Sequence, residues 1–273
     1  MPELPEVENV RLKLLNIIKN KTLLKIDIFS EHNLSNLLGT EVNEFNSLIN
    51  SAITDILRYG KYLVFEFTSS SDTKYLVSHL GMSGKYYQNK VLDKHDHVVF
   101  YFEDDIYLSY NDVRKFGLLT IKTKEQLFTT NPLNLLAPDP FSISCEVFYN
   151  SLNKHHHEIK TLILDQHIIS GIGNIYADEI LYSCGISPLR EGSKITLEES
   201  SSIISNAIKI LSHSIKEGGS TIRDYNSLGI KGNYQNFLVV HTKENCPCIY
   251  CKNPIKKIKV GGRSTYYCEY CQK

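Results

Sequence analysis

The residues at the start of the chain are of the types that covalent catalysis requires. Pro2 is followed directly by Glu3, and Glu6 comes three residues later. If Met1 is removed, Pro2 becomes a terminal secondary amine, whose pKa of about 8 is lowered further by the dipole of a following helix. Such an amine could attack C1′ of a sugar and form an iminium, an electron sink for later elimination. Glu3 could transfer the protons, although acidic residues at a helix start are also common as simple helix stabilisers.

Four cysteines near the end of the chain are spaced as metal ligands. Cys248 and Cys251 form one Cys-x2-Cys pair, and Cys268 and Cys271 form a second pair after sixteen intervening residues. Two such pairs can supply four thiolates to one tetrahedral Zn²⁺. Cys246 is a spare thiol, since its use would leave a one-residue gap. We predict one structural zinc ion that folds a segment too short to bury a core alone.

The charge distribution singles out the same segment. The whole chain has 30 Lys plus Arg and 30 Asp plus Glu, yet residues 246–273 hold six basic residues and only one acid, Glu269. A zinc-pinned β-hairpin would present Arg263, just after Gly261 and Gly262, on a rigid loop suited to phosphate or base contacts. The alternative is a purely structural knuckle with solvated lysines.

The remaining sequence must form the elements that position these residues. Apolar residues recur at helical spacing from about Pro5 to Lys19. From about Leu23 to Lys122, aromatic and β-branched runs separated by turn residues predict a sandwich of antiparallel strands. Prolines concentrated in residues 131–140 end this pattern and predict a domain boundary.

Helical periodicity follows the boundary. Asn174 is a plausible N-cap for a helix that runs to Cys184 and stops at Gly185. Thr196 and Glu199 form the pattern of a capping box at the start of a longer helix, which ends before residues 218–219. The sequence therefore predicts a β-rich domain followed by a helical one.

Composition excludes several classes of protein. The chain has 273 residues with 42% hydrophobic and 22% charged residues, which is typical of about two globular domains. A net charge of zero argues against an indiscriminate polyanion-coating protein. There is no apolar run of the ~18 residues that a membrane helix needs, and the start lacks the order of a signal peptide. Seven cysteines, an odd number with four crowded near the end, fit a metal site in a reducing cytoplasm better than a disulfide framework. We also expect a monomer without membrane association.

Five blocks, in order, resemble motifs of the bacterial formamidopyrimidine-DNA glycosylases, the branch of the Fpg/endonuclease VIII-like family that excises oxidised purines. They are residues 2–8 (PELPEVE), 79–84 (HLGMSG), 112–117 (DVRKFG), 171–179 (GIGNIYADE) and 261–268 (GGRSTYYC). Because the blocks span both termini, the resemblance covers essentially the whole chain.

The resemblance implies an α+β fold with three segments. These are an N-terminal helix and antiparallel β-sandwich in a catalytic domain (residues 1–135), a helical helix–two-turn–helix domain (136–245) and a four-cysteine zinc finger (246–273). It implies a bifunctional glycosylase and abasic-site lyase of base excision repair. The implied partner is double-stranded DNA containing 8-oxoguanine, formamidopyrimidines or abasic sites.

By the same resemblance, Pro2 forms a Schiff base with deoxyribose, Glu3 opens the sugar ring and Glu6 supports the site. Cleavage of the strand then follows by β- and δ-elimination. Lys61, which matches a family lysine at the lesion phosphate, and Arg263, on the zinc-finger hairpin, complete the implied catalytic set.

The resemblance also implies a set of DNA-contacting residues. Met82, Arg114 and Phe116 match a trio that fills the void left by an extruded nucleotide. Asn174 follows Gly171 and Gly173, where the free N–H groups of a helix start could bind a phosphate. The other implied contacts are His79, His97, Lys160, Thr221, Arg223 and His241.

Two departures and two alternatives remain. His241 stands where the family usually has a phosphate-binding tyrosine, and Ala137 replaces a glycine at the domain junction. The oxidised-pyrimidine branch typically has Gly where Leu4 stands and lacks the separated trio, so it is the less favoured enzyme. A non-catalytic zinc-dependent DNA-binding protein is the alternative from another class. The sequence ranks neither the oxidised purines nor the opposite bases.

Overall fold

The computed structural model describes residues 1–29, 37–70, 72–221 and 226–273. The chain divides into two compact units. The first comprises Met1–Asn134 together with Thr221–Gly232, and the second comprises Leu135–Ser220 together with Asn233–Lys273.

The first unit begins with helix α1 (Leu4–Ile18). Pro5 lies in its first turn, where the missing N–H costs no hydrogen bond, as the sequence predicts. One face of the helix is buried, with Val7, Val10 and Leu14 at most 1% exposed. The helix thereby packs its apolar stripe onto the sheet that follows and fixes the start of the chain.

Two antiparallel sheets form the body of the first unit, with a short helix α2 (Val42–Phe45) between β1 and β2. The first sheet has the order β1–β6–β7–β5, from β1 (Leu23–Ile28), β5 (Lys85–Gln88), β6 (Asp96–Phe102) and β7 (Tyr107–Asn111). The second has the order β2–β3–β4–β8, from β2 (Ala52–Tyr59), β3 (Tyr62–Thr68), β4 (Thr73–His79) and β8 (Leu118–Thr123). Both sheets contribute to one apolar core, so the predicted sandwich is confirmed.

The second unit is helical, with α3 (Cys145–Leu152), α4 (Ile159–Leu164), α5 (Asn174–Ser183) and α6 (Leu197–Lys216). Thr196 and Glu199 form the predicted capping box of α6. Gly185 follows α5 with φ +67°, the left-handed conformation typical of a helix stop. The N-cap of α5 is Gly173 and not Asn174, since the extended backbone (φ −127°, ψ −165°) lies at Gly173 and Asn174 is the first residue of the helix.

The cysteine-rich segment completes the second unit. Strands β9 (Lys256–Val260) and β10 (Arg263–Tyr267) pair as an antiparallel hairpin. Cys248 and Cys268 share a buried cluster with Tyr182 of α5. Among the described residues, we find no helix with the length and hydropathy that crossing a membrane would require.

Candidate active site and DNA-binding surfaces

The start of the chain is held by two carboxylates. Pro2 is buried, and Glu3 and Glu6 are only 3% and 6% exposed. Glu3 is the N-cap residue of α1, and its backbone N–H donates a hydrogen bond to Glu6 Oε2 at 2.8 Å. This bond fixes the backbone next to Pro2, because a capping box leaves little freedom at a helix start.

Charged groups of both signs surround the amino terminus. Burial lowers the pKa of the Met1 amino group, and the positive charges of Lys61 and Arg114 lower it further, whereas Glu3 and Glu6 oppose the shift. Lys61 lies in the two-residue turn between β2 and β3 and is 5% exposed. The Met1 amino group is therefore held toward its neutral form.

His79, at the end of β4, has a neutral imidazole ring that can donate a hydrogen bond. Burial, aided by the charge of Lys61, lowers its pKa to about 4. The backbone N–H of Gly81 donates to His79 Nδ1 at 3.2 Å, so in the neutral ring the proton resides on Nε2. A neutral imidazole with a fixed tautomer can donate to a phosphate oxygen at physiological pH without changing its charge.

Two neighbouring loops present the proposed void-filling side chains. Met82 and Phe116 are 43% and 57% exposed, which is inconsistent with a place in the core. Arg114 is also exposed, and its guanidinium lies 4.7 Å from the centre of the Phe116 ring. The arrangement is a cation–π pair with an apolar edge open to solvent, as a wedge between bases requires.

Gly81 allows these two loops to meet. Its φ is +56°, and a Cβ at this position would lie 2.4 Å from the backbone oxygen of Phe116. We therefore expect Gly81→Ala to reduce the free energy of unfolding by about 2–4 kcal/mol, through backbone strain and a backbone clash. Denaturant unfolding would measure the loss. Gly229→Ala is the control, since Gly229 has φ +73° with open space around it; equal losses in the two variants would show that the clash does not matter.

The structure corrects the role of His97. The residue is 3% exposed, and its Nε2 lies 2.9 Å from the backbone oxygen of Asp112. His97 therefore braces the loop that carries Arg114 from inside the first unit, and its burial argues against the expected contact with DNA.

In the second unit, Asn174 and the zinc-finger hairpin are joined through one carbonyl. Asn174 Nδ2 and Lys160 Nζ both donate to the Ser264 backbone oxygen, at 2.9 and 3.1 Å. Ser264 directly follows Arg263, which is exposed at the hairpin turn. Gly261 and Gly262 both have positive φ, as a tight turn of this kind requires. The start of α5 and the Arg263 loop are thus fixed relative to each other.

Lys160 is wholly buried, and this corrects the prediction that its side chain contacts DNA. Its ammonium group lies 2.6 Å from Asp178 Oδ1 and 2.8 Å from Thr265 Oγ1. Because charge inside a protein must be paired, Lys160 and Asp178 act together as an internal clamp between α4, α5 and the hairpin. Sequence reasoning missed Asp178, although it lies within the recognised 171–179 block.

Removing one partner of this pair should be costly. We expect Lys160→Met to lower the free energy of unfolding by about 3–5 kcal/mol, since Asp178 would keep a buried charge without its ammonium partner. Denaturant unfolding followed by circular dichroism measures the effect. Lys209→Met, at an exposed position of α6, is the matched control. Equal stability of the two variants would contradict the clamp.

His241, which replaces the family tyrosine, also faces inward. It is 6% exposed, and its Nδ1 lies 2.7 Å from Asp178 Oδ2. The carboxylate of Glu179 accepts hydrogen bonds from the backbone N–H groups of Val239, Val240 and His241, at 2.8–2.9 Å. The segment before the cysteines is thus anchored to α5, and direct phosphate contact by His241 is not supported by its burial.

The four cysteines meet the requirements of a zinc site. The Sγ atoms of Cys248, Cys251, Cys268 and Cys271 all lie within 4.8 Å of one another. Two of the separations are 3.8 and 3.4 Å, close to the ~3.8 Å between thiolates bound tetrahedrally at ~2.3 Å from Zn²⁺. The Tyr182 hydroxyl lies 3.1 Å from Cys248 Sγ, where it can donate to a thiolate. The residues present therefore fit one structural zinc ion.

The remaining predicted contacts lie in the segment that rejoins the first unit. Thr221 Oγ1 accepts a hydrogen bond at 2.7 Å from the backbone N–H of Gly232, so the two ends of this segment are tied together. Arg223 lies outside the described residues. Base contact by Thr221 and Arg223 stays a prediction.

Comparison with known proteins first gives the class. Family models match residues 1–119 (formamidopyrimidine-DNA glycosylase N-terminal domain), 136–226 (the H2TH domain of the same enzymes) and 247–273 (a zinc finger found in FPG and IleRS). The chain therefore has the architecture of a DNA glycosylase built from a sandwich, a helix–two-turn–helix domain and a zinc finger.

Individual relatives then give the family. The formamidopyrimidine-DNA glycosylases of Mycoplasma mobile and of an Exiguobacterium species are 42% and 40% identical over the whole of this chain and 99–100% of their own lengths. A Lactococcus lactis FPG variant in complex with Fapy-dG containing DNA superimposes with a TM-score of 0.90 at 36% identity, each chain being fully covered. A MutM complex with carbocyclic 8-oxo-G containing DNA gives 0.89 at 35%, again over both whole chains. The chain belongs to the formamidopyrimidine-DNA glycosylase family.

Proposed function

We propose that this chain is a bifunctional DNA glycosylase and abasic-site lyase of base excision repair that removes oxidised purines, 8-oxoguanine and formamidopyrimidines among them. The observation that carries the proposal is that Pro2 and Glu3 are buried next to each other at the amino terminus. The positive charges of Lys61 and Arg114 act on the terminal amino group there. The substrate class is supported by the relatives, whose solved complexes contain Fapy-dG or 8-oxo-G DNA. We place its action on bacterial chromosomal DNA in the cytoplasm, as a monomer.

The chemistry begins at Pro2 once Met1 has been removed. The Pro2 nitrogen attacks C1′ as the N-glycosidic bond breaks, and the proton that the Pro2 nitrogen loses on forming its new bond passes to the departing base. Glu3 then donates a proton to O4′ as the C1′–O4′ bond breaks, which leaves an iminium between Pro2 and C1′. Glu3, which is a carboxylate after this transfer, accepts a proton from C2′; the electron pair of that C–H bond is delocalised into the iminium and expels the 3′ phosphate as the C3′–O3′ bond breaks. Loss of the C4′ proton to a base expels the 5′ phosphate in the same way as the C5′–O5′ bond breaks. Water then hydrolyses the iminium and frees Pro2.

The surrounding groups have separate tasks. Lys61 and the neutral imidazole of His79 bind phosphate oxygens near the reacting sugar, and Arg263 binds DNA phosphate from the zinc-finger hairpin. Met82, Arg114 and Phe116 fill the space of the extruded nucleotide. Asn174, supported by the free N–H groups of α5, binds a further phosphate. The zinc ion holds the hairpin and takes no part in bond breaking.

Borohydride trapping tests the proposal. An iminium between the protein and an abasic duplex is reduced to a stable amine, which migrates as a covalent protein–DNA adduct on a denaturing gel. A non-catalytic DNA-binding protein leaves no adduct. A panel of duplexes with single oxidised purines or pyrimidines separates the two enzymatic branches. If the Pro2→Gly variant cuts the DNA as fast as the parent, Pro2 is not the nucleophile.

The state of the amino terminus gives a further prediction. Met1 is 52% exposed, whereas Pro2 behind it is buried, and a peptide bond between the two would leave Pro2 without a nucleophilic lone pair. We therefore expect mass spectrometry of the trapped adduct to show a chain that lacks Met1 and carries the sugar on Pro2. An adduct on a chain that retains Met1 would contradict the mechanism.

A further inference from the structure

Asp112 is a wholly buried carboxylate at the end of β7, and the chemistry described above does not use it. One of its oxygens, Oδ2, accepts a hydrogen bond from the backbone N–H of Gly117 at 2.9 Å. The other, Oδ1, accepts from the backbone N–H of Arg114 at 3.2 Å. The carboxylate therefore bonds both sides of the loop that carries Arg114 and Phe116, and sets the shape of that loop.

The same carboxylate reaches a second loop through Ser83. The Ser83 hydroxyl donates to Asp112 Oδ1 and accepts from the Arg114 N–H at 3.2 Å. Ser83 directly follows Met82, so this one hydroxyl joins the Met82 loop to the Arg114 loop. A hydrogen bond to a buried carboxylate is charge-assisted and stronger than a neutral one.

Backbone contacts around this link leave little room for either loop to move. A Cβ on Gly117 would overlap the Tyr110 hydroxyl, and that hydroxyl donates to the backbone oxygen of His79 at 3.2 Å. On the other side, the backbone oxygen of Asp112 faces the His97 ring at 2.9 Å. The backbone beneath the exposed side chains of Met82 and Phe116 is thus held rigidly.

We infer that Asp112 and Ser83 are positioning residues for nucleotide extrusion, which hold Met82, Arg114 and Phe116 as one preformed wedge. The inference rests on the proposed void-filling role of those three residues. Extruding a paired nucleotide costs a few kcal/mol of stacking and pairing. A wedge that is already ordered in the free protein loses less conformational entropy when it enters the duplex, so more of its contact energy opposes that cost.

The experiment compares two substrates with the full-length, zinc-loaded protein. The first is a duplex with one oxidised purine, where extrusion must precede excision. The second is a single strand with a preformed abasic site, where no paired nucleotide has to be extruded. Single-turnover rate constants are measured for the parent, Ser83→Ala, Ser83→Thr and Ser47→Ala; Ser47 is exposed and bonds only locally to the Glu44 backbone oxygen.

We expect Ser83→Ala to lower excision from the duplex by roughly tenfold to a hundredfold, because a misplaced positioning group costs factors of this order. Cleavage of the single strand should stay within about twofold of the parent, since the Pro2 chemistry is untouched. Ser83→Thr, which keeps the hydroxyl, should restore most of the duplex rate, and Ser47→Ala should match the parent. Asp112→Ala should show the same pattern with a larger loss.

Any other result would contradict either the role of Ser83, the role of the wedge or the enzymatic function. Equal losses on both substrates would mean that Ser83 supports the fold or the chemistry and not the wedge, and unchanged rates would mean that the link is dispensable. If Met82→Ala and Phe116→Ala leave duplex excision unaltered, the void-filling role itself fails. If the parent cuts neither substrate, the proposed enzymatic function fails, independently of Ser83.

Discussion

Glu3→Gln is expected to lower the rate of sugar-ring opening, and with it the rate of strand cleavage through the Pro2 iminium, by about 10²–10⁴-fold, which is the usual contribution of a positioned general acid or base. Gln has nearly the shape of Glu and keeps a hydrogen-bond acceptor at the start of α1, where Glu3 is 3% exposed. The variant should therefore fold, bind DNA within about twofold of the parent and fail only at proton transfer. Single-turnover strand cleavage of a duplex with a preformed abasic site measures the first effect, and fluorescence anisotropy with an abasic-analogue duplex measures the second.

Glu8→Gln is the matched control on the same helix. Glu8 forms hydrogen bonds with Arg11 and Arg58, and these two cations lower its pKa against the opposing effect of burial. Loss of its charge should weaken the packing of α1 but leave strand cleavage at the parental rate. If Glu3→Gln cleaves the abasic strand as fast as the parent, another group transfers the proton to O4′. Parallel losses in both variants would indicate damage to the helix.

Removal of zinc should have the second large effect. The metal contributes an apparent binding free energy of about 10–16 kcal/mol in small sites of this kind, far more than the hairpin could gain from its own core. We expect a chelator, or Cys268→Ser, to abolish zinc binding and to weaken binding to an abasic-analogue duplex by more than about tenfold, since Arg263 loses its rigid loop. Zinc content by mass spectrometry and DNA affinity by anisotropy are the measurements.

Cys246→Ser provides the control for the metal site. Cys246 is exposed and lies outside the group of four converging thiols. This variant should retain one zinc ion per chain and the parental affinity for DNA. Loss of zinc from Cys246→Ser would show that the ligand set has been misassigned, and unchanged DNA affinity after complete zinc removal would show that the hairpin does not need the metal.

The sequence predicts those parts of the fold that depend on local pattern. The strands of the first unit run from Leu23 to Thr123 where aromatic and β-branched residues alternate with turns, and α1 begins within one residue of its expected start. The cysteine spacing likewise predicts the geometry of the metal site, because each Cys-x2-Cys turn brings its two thiols together. In these cases the residues that decide the structure are close together in sequence.

The sequence does not predict which polar side chains lie in the interior, because their hydrogen-bond partners are distant in the chain. His97, Lys160 and His241 are polar types that usually lie on surfaces, and each was predicted to contact DNA. All three are buried against carbonyls or carboxylates that the motif patterns do not bring together. Asp112 was missed for the same reason: its Ser83 partner is 29 residues away. Pairing of this kind depends on which helices, strands and loops pack together and not on local spacing.

Glu179 accepts hydrogen bonds from three consecutive backbone N–H groups, those of Val239, Val240 and His241. These bonds should control how the second unit unfolds. If these bonds broke, the buried Glu179 carboxylate would lose its hydrogen-bond donors. Local unfolding that starts at the C-terminal segment should therefore stop before it reaches α5. Hydrogen exchange at these amides should accordingly occur only in the rare event that melts helix and finger together. We therefore expect the zinc-finger segment to unfold together with the helices of the second unit and not independently of them.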